Sequence, residues 1–405
     1  MFLNRFYFFK KNTLRHSKKE FLISVLCSIL PLHFYVGTFL EIQGYSTSKI
    51  TLLIYSLLIL IGIVLLLFNI SKDLLFLAFF GFVFAFLIGF DLLFRNYDFS
   101  FIKVNSVLSL FFVFIPIFIS IYTGINLDSF LKHLSFWSRI VLIVMSTVFA
   151  YIMFYKKMRI PEYMSFAYYA LPPIFFIWSK KEKNIIDYVL ILLSSAFVCL
   201  VGCRGALLTL LFYYFLLFIH PSKSGKFMLV KFLIIIIAIL IAINLKSILL
   251  SVSGLLGEYG SRIINILLSD GSFFDSSSRF EIWAFAFNHI NIIGYGPIGY
   301  RVLFDNGYAH NIVLEILLSY GFVFGGAITI IIYFLVFKNY LSSRKHNCFR
   351  NYSLCSFALS FFVIKFMVSD SFLISIDFWL LLALSLWFYN AYRRHDEKIL
   401  ITHEA

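Results

Sequence analysis

The stretch around which the chain is organised is Ser277–Gly326, SSRFEIWAFAFNHINIIGYGPIGYRVLFDNGYAHNIVLEILLSYGFVFGG. It passes from a charged, aromatic segment through glycine turns into an apolar helix, whereas most of the chain is nearly continuous apolar sequence. Ser278 and Glu281 have the S-x-x-E spacing of a capping box, and Phe280, Trp283, Ala284 and Phe287 follow at i, i+3, i+4 and i+7. This predicts a short amphipathic helix over 279–290, lying on a membrane face or on a helix bundle. Arg279, in its first turn, has the wrong sign for the helix dipole, so something other than helix stability must account for it. Gly294, Gly296 and Gly299 match G-x-G-x-x-G, but they follow a helix instead of a strand and enclose Pro297, which argues against a dinucleotide site. Turns that bring backbone amides near the surface, or plain loop geometry, account for them.

Outward from this stretch the composition is that of a membrane protein. Of 405 residues, 61% are hydrophobic and 13% charged, against about 25% charged in soluble domains, and the mean hydropathy is +0.93. The 53 Phe, 24 Tyr and 5 Trp serve as lipid-facing and interfacial side chains without requiring a ligand. A hydrocarbon core about 30 Å thick is crossed by roughly 20 helical residues. Runs of that kind fall near 21–40, 50–70, 74–94, 104–122, 140–155, 162–178, 185–201, 204–219, 229–250, 311–337, 351–368 and 374–391. The predicted fold class is therefore all-α, with about twelve transmembrane helices. Residues 1–19 are basic with no acid, and the apolar run behind them lacks a small-residue cleavage site, so it reads as a retained first span.

An even number of spans places both termini on one side. That side and the loops sharing it hold 22 of the 34 Lys and Arg, the opposite side holds 11, and Lys365 lies within a span. The positive-inside rule makes the termini cytoplasmic and explains the net charge of +14 without nucleic acid. The predicted organisation is a bundle over 1–250, a long outer loop over 251–310, and a C-terminal bundle with a cytoplasmic tail over 311–405. A loop of this length usually carries function. Cys27, Cys199, Cys203, Cys348 and Cys355 form no paired framework and no metal-ligand spacing.

The outer side receives few chemically capable residues. His33, His289 and His310 are its histidines; the first two read as structural, whereas His310 directly precedes a span with Asn311 as its expected cap. A helix N-terminus disfavours the protonated ring and so suits His310 to act as a neutral base. Arg204, in a tight turn between two spans, with Arg279 and Arg301, would form a fork-shaped set of donors for phosphate oxygens. Lys156, Lys157 and Arg159 break the positive-inside pattern and are expected either to meet anionic lipid or phosphate or to be tolerated local charge. No D-x-D or H-E-x-x-H pattern occurs, so arginine is expected to supply the positive charge and no metal or cofactor is called for.

These residues resemble the O-antigen polymerase and O-antigen ligase superfamily of bacterial envelope glycan enzymes. The resemblance rests on Arg204-Gly-Ala-Leu-Leu at the head of a span, Ser278-Arg279 followed by Trp283, the glycine turn from Gly294, and His310-Asn-x-x-Leu-Glu315 with Gly321 and Gly325 beyond. It covers mainly 195–330. It implies a fold similar to the membrane-embedded, GT-C-like glycosyltransferases, acting at the periplasmic face of the inner membrane on glycans carried by undecaprenyl diphosphate. By the same resemblance His310, Arg279 and Arg204 look catalytic, with the two arginines near the diphosphate; Arg301, Arg159, Lys157, Asn311 and Glu315 are expected to contact substrate. A chain-length regulator is an expected partner. Tyr308-Ala309 before His310, where the ligase branch often has a second histidine, and Glu315 after it favour a polymerase; a ligase to lipid A core and a lipid-oligosaccharide flippase are the alternatives. Lys365 and Asp377, if near the midplane, keep the flippase alternative open.

Overall fold

The computed structural model describes residues 2–68, 113–156, 158, 160–220, 279–297, 299–304, 308–345, 348–369, 371 and 375–404. The spans predicted near 74–94 and 229–250, residues 104–112 of a third, and the loop segment 251–278 with its Ser278 cap lie outside the described residues, as do Lys157 and Arg159.

Among the described residues the chain is helical without strands. Its helices are α1 (Phe2–Ile42), α2 (Ser48–Phe68), α3 (Ile115–Tyr122), α4 (Leu127–Ala150), α5 (Tyr163–Ser179), α6 (Ile185–Val201), α7 (Arg204–Phe218) and α8 (Arg279–Asn288), followed by α9 (Ile312–Tyr320), α10 (Gly326–Lys345), α11 (Phe349–Ser360) and α12 (Ile376–Glu404). Five stretches are long and apolar enough to cross a membrane: Ser17–Ile42, Ser48–Leu65, Leu127–Lys156, Ile312–Lys345 and Phe349–Val368. α6 and α7 are shorter apolar helices. The chain is thus an all-helical protein of membrane-spanning character, with exposed apolar residues such as Leu52, Leu53, Ile330, Ile331 and Phe334 as its lipid-facing surface.

Local chemistry sets several boundaries. Asn126 starts α4 by accepting from the Ser129 amide at 3.1 Å. Asn184 and Asp187 form a reciprocal capping box at the head of α6, and Gly202, in the left-handed region at φ 83°, ends that helix and lets the chain reverse into α7. α4 begins well before the span predicted at 140. Asp128, Lys132, His133 and Arg139 interrupt its hydropathy, but Leu127, Phe130, Leu131 and Leu134 are buried along one face, which packs on α1. α9 and α10 are joined by a π-helical turn, Gly321–Gly325, so the predicted 311–337 span continues to Lys345. α12 likewise runs past the predicted end at 391.

α1 and α4 run parallel. Glu20, midway along α1, accepts through Oε1 from the Asn126 amide at the start of α4, and Phe39, near the end of α1, meets Tyr151, just past the end of α4, with rings 5.1 Å apart. α5 and α11 occupy the centre of the bundle, where Phe175 stacks on Tyr213 at 3.9 Å and meets the edge of Phe357 at 5.0 Å. The bundle has two unlike ends. At the basic end, Arg139 donates two bonds to Asp187, at 2.7 and 3.0 Å, Lys180 joins them at 3.3 Å, and Lys19 donates to Thr123 and to the Gly124 carbonyl. The opposite end carries α8 and the start of α9.

Candidate functional site

The glycine turns act as a dock for α9. Gly294 has φ +87° and Gly321 φ +77°, conformations that suit glycine. A Cβ on either would run into the other's backbone neighbourhood, the Ser319 carbonyl and Gly321 amide on one side and the Ile292 carbonyl on the other. This close approach lets the Tyr295 and Gly296 amides donate to the Leu318 and Ser319 carbonyls at 2.7 and 2.8 Å, while the Phe322 amide donates back to Asn291 at 2.8 Å. The glycines thus make turns whose Tyr295 and Gly296 amides satisfy the end of a helix instead of facing outward. Beneath the dock, Ala286, Tyr300, Ala309 and Leu318 form a small core of their own, flanked by Phe304 and Tyr308.

His310 is held at the other end of α9. It has φ 51°, one of two non-glycine residues in the left-handed region among the described residues, a strained conformation of the kind that clusters at functional sites. Asn311 follows as the cap: its side-chain oxygen accepts from the Leu314 amide at 3.1 Å and its amide donates to the Met367 carbonyl at 3.1 Å. The His310 ring lies 4.1 Å from that of Tyr308, and the Arg301 guanidinium sits 6.0 Å over the Tyr308 ring.

Glu315, fully buried, is the anchor of this arrangement. Its Oε1 accepts from the hydroxyls of Tyr300 and Ser371 and lies 3.8 Å from Arg301, which also donates to Ser371 at 2.9 Å. Burial, and then the carboxylate beside it, push the Tyr300 phenol well above its ordinary range. Glu315 and Asn311 were expected to contact substrate. The structure engages both with neighbours: Glu315 holds Tyr300, Ser371 and Arg301, and Asn311 caps α9 beside His310.

Arg279 opens α8 and reaches α5, with its guanidinium 3.5 Å from the Met164 sulfur. Its charge also acts on the Cys203 thiol, which burial pushes up and Arg279 draws down. Arg204 follows Cys203 at the head of α7. Next to it, Gly205 lies so close to α5 that a Cβ would collide with the Tyr168 hydroxyl and press on Val368. Lys156, neighbour of the two undescribed cations, sits 5.9 Å over the Tyr151 ring.

Between these groups lies a cavity of about 210 Å³, lined by Met164, Tyr168, Tyr169, Tyr308, Lys365 and Asp377 together with serines and two aliphatic side chains. Arg279 touches its rim through Met164, His310 through Tyr308, and the Arg204 turn through Tyr168. Lys365 and Asp377 form a buried ion pair in its wall. Lys365 ends another π-helical turn, Phe361–Lys365, a widened geometry that occurs frequently at functional sites. Sequence reasoning placed this pair as midplane charges. The structure puts Lys365 close to Val368, where its span ends, and Asp377 in the first turn of α12. The signal was available: the two residues flank the short connector between the last two spans, so a helical hairpin brings them face to face.

The architecture and this cluster define the class, a helical membrane-spanning protein with a polar cavity at one end of its bundle, whose lining residues Met164 and Tyr308 are met by Arg279 and Arg301. No family model, curated protein or solved structure matches the chain.

Proposed function

We propose that the protein is a membrane glycosyltransferase, a polymerase that transfers a growing glycan from undecaprenyl diphosphate to the next lipid-linked repeat unit. The observation that carries this reading is convergence. Arg279, Arg301 and His310 pack against residues that line one cavity at one end of the bundle, and the turn that carries Arg204 closes on the same lining through Gly205. The resemblance to the polymerase and ligase superfamily supplies the substrate class and places that end at the periplasmic face.

In this mechanism the terminal sugar hydroxyl of the acceptor attacks the anomeric carbon of the donor. The new C–O bond forms as the bond to diphosphate breaks, with inversion at that carbon. His310 takes the hydroxyl proton. Arg279 and Arg204 balance the charge gathering on the departing diphosphate, so no strong general acid is needed. Arg301, fixed by Glu315 and Ser371, adds a rigid positive charge beside Tyr308 and His310.

The test is a His310→Ala exchange in cells lacking the native gene, at equal protein level. The polymerase reading expects single repeat units to accumulate on the carrier and the long-chain ladder to vanish. A normal ladder would overturn the role of His310, and accumulation of long carrier-linked chains would identify a ligase.

A further inference from the structure

The cavity beside the arginines has a chemistry of its own. Its described walls hold three tyrosines, three serines, the Lys365–Asp377 pair and the apolar side chains of Leu30, Met164 and Ile376. The ammonium of Lys365 is boxed by the rings of Phe361, Tyr168 and Phe366 at 4.7, 5.5 and 5.6 Å, and its carboxylate partner is equally buried.

A diphosphate suits this space poorly. Its negative charges would meet Asp377 in a low-dielectric wall, where like charges repel strongly, and would compete with that carboxylate for Lys365. A neutral polyol suits it well. Adjacent hydroxyls on one ring can donate to Asp377 and accept from Lys365 without either charge losing its partner. Tyrosine faces match the C–H faces of a pyranose, and apolar walls with a few fixed polar groups are what orient a small ligand. At about 210 Å³ the cavity is smaller than the roughly 300–1,000 Å³ of sites for drug-sized ligands, which suits one sugar ring and not an oligosaccharide.

We propose that this cavity is a monosaccharide subsite: Lys365 and Asp377 read vicinal hydroxyls of one neutral sugar ring, while the arginines outside it take the phosphates. The inference rests on the glycosyltransferase reading for the identity of its ligand, and it assigns Lys365 and Asp377 to choosing the sugar.

Saturation-transfer NMR on the full-length protein in detergent tests it, with glucose, galactose, mannose, rhamnose, N-acetylglucosamine and N-acetylgalactosamine as separate probes. We expect transfer to at least one of the six, with a signal at least tenfold weaker in Asp377→Asn. Single variants leave a buried charge alone and risk misfolding. The paired change Lys365→Met with Asp377→Leu removes both charges, an exchange that buried pairs tolerate, and it too should lose the signal while melting near the parent temperature. No transfer to any probe, undiminished transfer in the folded double variant, or displacement of the sugar by inorganic diphosphate in the Arg279→Ala protein would overturn the proposal. The polymer ladder reports separately on the wider reading. Sugar binding abolished by Asp377→Asn, in a protein whose deletion leaves the ladder intact, would keep the subsite and sink the polymerase. A ladder of parental length and composition from the folded double variant would do the reverse.

Discussion

Arg139 and Arg279 show how differently the two ends of the bundle use a guanidinium. At the basic end Arg139 makes a two-pronged bond to a fully buried Asp187 that is itself part of a helix cap, and Lys180 closes the cluster. At the other end Arg279 meets only the Met164 sulfur among the described residues and stands at the rim of a cavity. The first arrangement satisfies its charges internally and contributes to folding. The second leaves the guanidinium against a soft atom beside the cavity, where the proposed mechanism puts a diphosphate.

That contrast is open to direct tests. Asp187→Ala should be the most damaging change, leaving Arg139 and Lys180 without their carboxylate and α6 without its capping partner. Breaking a buried pair from one side costs about 3–5 kcal/mol. Thermal unfolding in detergent should show this loss, while polymer formation per folded molecule stays at the parental level. Arg279→Ala should invert the pattern, with a melting temperature close to the parent and polymer synthesis down by about 10²–10³-fold. Arg279→Lys should recover only part of it, because an ammonium lacks the planar fork. Equal effects of both changes on stability would erase the distinction.

Smaller effects sharpen it. Gly321→Ala introduces a Cβ against the Ile292 carbonyl at a backbone conformation that L side chains rarely adopt, and strain of this kind costs about 1–3 kcal/mol. Hydrogen exchange should then show faster turnover at the Tyr295 and Gly296 amides, with the Arg139 region unchanged. Asn311→Ala removes the α9 cap, worth about 1 kcal/mol. Its readout is a modest drop in melting temperature with a larger loss of polymer, since the same side chain ties the backbone beside His310 to the Met367 carbonyl.

Much of the helical plan was legible because hydropathy reports directly on lipid contact. The turn at Gly202 and Arg204, the bounds of α6, the short helix from Arg279 and the cap at Asn311 follow from local chemistry that a linear reading captures. α4 was cut short because its first half is amphipathic, with polar residues such as Lys132 opposite a buried face, and a hydropathy window averages the two. Glu315 was legible as important and not as buried, because burial depends on Tyr300, Arg301 and Ser371 arriving from other segments. Lys365 and Asp377 were visible as costly charges, but only packing of the last two spans makes them a pair in a cavity wall.

The docking of residues 291–296 onto the end of α9 has a further consequence. Backbone bonds at Tyr295, Gly296 and Phe322 close the chain on itself, so Arg301, His310, Asn311 and Glu315 all lie inside one clasped length of polypeptide. Their mutual geometry is set by that clasp, by the small core beneath it and by contacts to Met367 and Ser371. Sequence can be added to or removed from the loop upstream at little thermodynamic cost without turning His310 away from Tyr308. A scaffold built this way can vary the sequence ahead of Arg279 while these four residues stay in register with one another.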